Sequence, residues 1–148
     1  MKLFLDTNVL LDHALNRATG QPLEISYLML WTKNQNIPVY ISPGSLYTFT
    51  YVLQKNGLRG KDLRMKIEQY LSLVHLCPSD KAYFLEGIQS DFKDIEDAFQ
   101  YFHGLQTECD HLITSNVRDF KPHCRDMQVF SPSQFITQVL NKKPGIDF

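Results

Sequence analysis

The residues best equipped for chemistry in this chain are acids at the ends of apolar runs. In the opening "KLFLDTNVLLD" a run from Lys2 to Leu5 stops on Asp6, Thr7 and Asn8 before turning apolar again at Val9, Leu10 and Leu11. An unpaired carboxylate buried there costs several kcal/mol or shifts its pKa, so Asp6 needs water or a partner. Two readings stand side by side: a helix cap, or a ligand group at the carboxyl end of a central parallel strand. In "DFKDIEDAFQYF" Asp94 and Asp97 are one helical turn apart. At about 100° per residue, Ile95, Ala98, Phe99 and Phe102 form a buried stripe. Asp94, Asp97 and Tyr101 follow the edge of that stripe, and Glu96 points elsewhere. Two carboxylates so placed repel unless a cation or hydrogen-bond donors lie between them. Helix capping by Asp94 or Asp91 explains either acid singly. It explains less well both acids together with Asp6 and with Asp119, which follows Ser115 and Asn116 in "HLITSNVRDF".

The elements that must position these acids alternate between strand-like and helix-like. The sequence predicts strands at Lys2–Leu5, "IPVYIS", "VHLCP", "DHLIT" and "MQVF". It predicts a short helix from Val9, a loop at "RATGQP" and a helix over Pro22–Lys33 with Leu23, Tyr27, Leu30 and Trp31 on one face. Ser42 and Pro43 open a helix that Gly57 ends, and Lys61–Leu73 forms the next. "SDKAYFLEGIQS", Asp94–Thr107 and Pro132–Leu140 supply the remaining helices. Strands separated by helical crossovers indicate a parallel sheet with helices on both faces.

With 148 residues the chain fits one domain spanning 1–148, large enough to bury a core without staples. Hydrophobic residues at 43% and charged residues at 21% are ordinary for a soluble globular protein. A net charge of −1 gives no global basic field, so nucleic-acid binding would rest on a local basic patch, an oligomer or a metal. Cys77, Cys109 and Cys124 form no CxxC pair, which argues against a disulfide framework or structural zinc and suits a reducing cytoplasm. No segment has the architecture of a signal peptide or a membrane span. The five histidines lack the i, i+4 pairing of a helical zinc site. The aromatic, weakly charged "YTFTYVL" suits either a dimer interface or the core of one subunit.

"FLDTNVLLD", "DFKDIEDAFQYF", "LITSNVRDF" and "VFSPSQFI", in this order over nearly the whole chain, resemble the PIN-domain metal-dependent ribonucleases, in particular a bacterial branch near the VapC-type toxins. The resemblance implies an α/β fold, a three-layer α/β/α sandwich with a central, mainly parallel sheet of about five strands. It also implies acids that converge at the carboxyl edge of the sheet to hold Mg2+ or Mn2+. Asp6 matches the first acid of the family, Asp97 the acid opening the long helix, and Asp94 an extra acid of this branch; Asp119 is a further candidate ligand. Thr7, Asn8, Ser115 and Asn116 would contact phosphate or metal-bound waters, and Arg118, ahead of Arg17, would contact substrate. The implied partners are RNA, an antitoxin protein and a second copy of the chain in a homodimer.

Departures from the family pattern fall at two places. A glutamate that many relatives carry six residues after the serine of the second strand is Thr48 here, and the usual acid of the fourth strand is Asn116. Fewer carboxylates neutralise a divalent ion less well. Two functions therefore follow from the resemblance: a metal-dependent endoribonuclease of toxin type, or a degenerate domain that binds RNA or protein without cutting. A metal-dependent phosphatase or response-regulator-like protein would also place acids at strand ends, but leaves "TSNVRDF" unexplained.

Overall fold

Leu3, Phe4 and Leu5 are all sealed from solvent, which is why the first strand reads as an unbroken apolar run rather than an alternating one. The computed structural model describes residues 1–148. Its strands are β1 (Leu3–Leu5), β2 (Val39–Ile41), β3 (His75–Leu76), β4 (His111–Ile113) and β5 (Gln128–Phe130). All pair in parallel, in the order β3-β2-β1-β4-β5. The helices α1 (Thr7–Ala14), α2 (Pro22–Asn34), α3 (Pro43–Lys55), α4 (Gly60–Leu71), α5 (Lys81–Gln89), α6 (Ile95–Gln106) and α7 (Val117–Phe120) form the crossovers. A short α8 (Pro132–Gln134) follows β5 and continues as a π-helical turn, Phe135–Val139. This is the predicted three-layer sandwich.

Alternation along β1 divides the core. Leu3 and Leu5 join a large apolar cluster with Leu10, Ile25, Leu53 and Phe135, while Phe4 joins a smaller one with Tyr101, Leu112 and Phe120. The chain leaves β1 toward β2 on one side and reaches β4 on the other, so the connections reverse direction between β1 and β4. Open α/β sheets bind ligands beyond the strand ends at such a reversal.

Two predicted helix faces differ from those observed. On α2, Leu23 is 68% and Leu30 58% exposed, and the buried residues are Ile25, Leu28, Met29 and Thr32. The helix is apolar on nearly every side, so periodicity cannot select the packed face; α1 and α8 select it. On α6, Ile95 is 46% exposed, Phe99 and Phe102 are half-buried, and Ala98, Tyr101, His103 and Gly104 are buried. Tyr101, expected at the edge, is core. The reason is that α6 is covered twice, by the sheet and by α5, whose Phe84 ring meets Phe99 and His103 edge-on at 4.9 and 4.8 Å. No helix of the protein is long and apolar enough to cross a membrane.

Gly104 sets how closely α6 approaches β1. A Cβ built there would stand 2.9 Å from the Phe4 ring and 3.1 Å from the Met127 methyl. A Gly104→Val variant must therefore push α6 off the central strand, lowering stability by about 1–3 kcal/mol, as overpacking does. Chemical denaturation measures this, and an unchanged midpoint would show that α6 has slack against the sheet.

Candidate active site at the sheet reversal

Asp6 occupies the N-cap position of α1 with extended backbone, but its side chain makes no capping bond. Its carboxylate turns across the sheet instead. Thr114, just beyond β4, donates its hydroxyl to Asp6 Oδ2 at 2.8 Å, and Gln100 of α6 donates its amide to Asp6 Oδ1 at 2.9 Å. Thr114 Oγ1 in turn accepts the backbone N–H of Asn116 at 2.9 Å. Asp6 thus stands at the N-cap position of α1 and at the carboxyl end of β1 at once, with its strongest side-chain partners on β4's exit and α6. Burial pushes the Asp6 carboxyl above its usual range, opposed by Thr114 and Gln100 and less strongly by the Asn8 and Thr7 amides.

Asp97 lies in the first turn of α6, half-buried, with Asp6, Asp94, Asp119 and Glu96 all close enough to repel its charge. Burial first, and then these carboxylates, push its carboxyl up to about 7. The three ion pairs of the chain join Met1 to Asp110, Arg17 to Asp12 and His123 to Asp91, so no cationic side chain is paired with this cluster. Asp94 caps α6, its Oδ1 accepting the Asp97 N–H at 3.1 Å. Asp119 accepts the Asn116 side-chain amide at 2.8 Å. Asn8, Ser115 and Arg118 are exposed on the rim. Thr7 is buried, donating its hydroxyl to Ser45 at 2.7 Å.

Three participants escape a reading by residue type. Thr114 was detectable only through register: Leu5 pairs with Ile113, which sets the next residues, Asp6 and Thr114, side by side. Gln100 follows Asp97 by three residues on the same helix face. Its Oε1 accepts the Thr7 N–H at 3.1 Å and approaches Ser45 Oγ at 3.5 Å, so one amide ties α6 to both α1 and α3. Glu96, which points away from the edge carrying Asp94 and Asp97, lines a cavity of about 130 Å3 with Thr7, Ser45, Thr48, Gln100 and His103. Thr48 lines the same cavity as Gln100, the residue that donates to Asp6.

The donors suit a hard divalent cation: every candidate ligand atom is oxygen, and the cluster carries uncompensated negative charge. No three acidic, histidine or cysteine side chains are gathered closely enough to form a finished cage. Asp6 and Asp97 are the pair that could begin one.

Residues 2–118 match the family model described as PIN domain. Ribonuclease VapC1 of Aquifex aeolicus is 26% identical over 139 residues, covering 90% of this chain and 92% of that protein. The crystal structure of VapBC2 from Rickettsia felis, bound to a DNA fragment from its promoter, is similar with a TM-score of 0.67 and 15% identity, covering 88% of this chain and 98% of that one. FitAB bound to a DNA fragment is similar with a TM-score of 0.63 and 19% identity, covering 88% and 94%.

The raised Asp97 pKa sets a pH dependence of stability in the absence of divalent ions. A carboxyl whose folded pKa exceeds its unfolded value leaves the native state with more bound protons between the two. Stability should then fall as pH rises from the ordinary 3.8 to about 7. Asp97 is half-exposed, and water screens the effect. Asp97→Asn should flatten this slope and raise the melting temperature above pH 7 by about 2–4 °C, the change expected for about 1 kcal/mol in a domain of this size. Melting curves in EDTA from pH 4 to about pH 8 test it; parallel curves for the two proteins would contradict it.

Proposed function

The chain belongs to the PIN-domain family, and from that membership we propose that it is a metal-dependent endoribonuclease of the VapC toxin type, hydrolysing RNA phosphodiester bonds with Mg2+ or Mn2+. The observation that carries the reading is the Asp6–Asp97 pair at the sheet reversal, with no cationic side chain paired to it. Asp6 and Asp97 would hold the ion, with Asp119 and Asp94 beside them. Bound there, the ion would supply an activated water and neutralise charge on the phosphodiester. Thr114 and Gln100 fix the orientation of Asp6, so its oxygens need no reorganisation on loading. Asn8, Ser115 and Asn116 offer hydrogen bonds to phosphate at the rim, where Arg118 is the cation. Arg17 is paired with Asp12 instead.

The similar VapBC2 and FitAB structures support a protein antitoxin as partner, and a cytoplasmic location belongs to the same proposal. A homodimer belongs to the same proposal. Tyr47 and Tyr51 stand 82% and 61% exposed on α3, whereas Phe49 and Leu53 of the same segment are core. Thr48, in place of a carboxylate, favours a second reading, a PIN domain that binds RNA or protein without cutting.

Purified protein should cleave RNA with Mn2+ and not with EDTA. Asp97→Asn should weaken Mn2+ binding in calorimetry on the order of 100-fold, the upper end of what even outer-shell changes produce. Unaltered affinity would remove Asp97 from the site. Metal binding without cleavage would favour the non-catalytic reading. Because Thr48 faces the cavity beside Gln100, Thr48→Glu should bind Mn2+ more tightly than Thr48→Ala, since an added carboxylate attracts the ion even through water. Equal affinities would show that residue 48 does not reach the metal.

A further inference from the structure

The cavity lined by Thr7 and Gln100 lies between the start of α3, Phe84 of α5 and one face of α6. Its volume of about 130 Å3 is several times the roughly 30 Å3 share of one water. It falls below the roughly 300–1,000 Å3 of pockets that take drug-sized ligands. Phe84 and Phe99 supply aromatic wall, and no lysine or arginine lines it. With Glu96 as its one carboxylate, the cavity disfavours phosphate and suits a small neutral group that donates hydrogen bonds. Thr7 and Gln100 belong both to this cavity and to the surroundings of Asp6, so an occupant sits one side chain from the acidic pair.

From this geometry we infer that the cavity seats one unstacked guanine base of an RNA strand, next to the phosphodiester presented to Asp6 and Asp97. The inference rests on the nuclease reading and adds base selectivity to it. Sequence-specific RNA recognition uses splayed bases held by aromatic side chains and by hydrogen bonds to the base edge. The two oxygens of Glu96 match the paired N1–H and N2–H donors of guanine, an edge that adenine, cytosine and uracil lack. In the first turn of α3, Pro43 has no N–H and the Ser45 N–H is taken by Ser42, which leaves the Gly44 N–H, at the positive end of the helix, for the guanine O6. Gly44 keeps the entrance clear: a Cβ there would meet only Ser42 Oγ, at 4.0 Å. Gly44 itself lines the cavity, so a larger side chain at this position takes space at its wall.

The test is an NMR titration of the full chain in EDTA with 5′-GMP, 5′-AMP, 5′-CMP and 5′-UMP. GMP should shift the amides of Ser45, Thr48 and Gln100 and bind roughly five-fold or more tighter than the other three, the discrimination expected of a bidentate base contact. Glu96→Gln should remove most of that preference, and Gly44→Leu should abolish GMP binding while leaving a folded spectrum. Equal affinity for all four nucleotides, or GMP binding unaltered in both variants, overturns the guanine site. RNA cleavage by a wild-type protein that ignores GMP overturns the base site alone. Guanine-selective binding without Mn2+-dependent cleavage keeps the base site and overturns the nuclease reading.

Discussion

A carboxylate sealed inside the protein at the end of the central strand is the constraint around which the other parts are arranged. Asp6 is 1% exposed, and an isolated charge in that position is among the most costly things a fold can contain. Hydrogen bonds to charged groups contribute about 1.5–3 kcal/mol each, so Thr114 and Gln100 offset much of that cost. Both must arrive from distant parts of the chain. Thr114 requires β4 to pair with β1 in the observed register, and Gln100 requires α6 to lie close above β1, which the bare backbone of Gly104 permits.

Once α6 is held there, the rest of the acidic group follows from helix geometry. Asp94 caps the helix, and Asp97 comes one turn later, over Asp6. Placing these acids together without a paired cation leaves the protein electrostatically unfinished, as a cation-binding centre must be before its ion arrives. Polar residues at functional sites often run against local stability in this way.

Order of elements and parallel pairing were legible in the sequence, because apolar runs, caps and turns are local signals. Packing faces were not. α2 has apolar residues on nearly every side, so Leu23 and Leu30 suited a core pattern as well as Ile25 and Leu28 did. On α6 a single-stripe model failed because two neighbours cover the helix, which buried Tyr101. Thr114 and Gln100 stayed hidden for another reason. A hydroxyl and an amide have no distinctive chemistry until tertiary structure brings them to a carboxylate 108 or 94 residues away. The family resemblance marked the acids but not the neutral side chains that hold them.

The Gln100 amide is shared property: its nitrogen serves Asp6, while its oxygen serves Thr7 at the cavity wall. The two places therefore share one side chain. An occupant of the cavity that draws this amide toward itself loosens its grip on Asp6 and alters how well that carboxylate holds a cation. Reciprocity then requires the cation to alter the occupant's affinity by the same factor. With the proposed ion and the proposed base both bound, this one uncharged side chain would join the two places, so that filling either would alter the other.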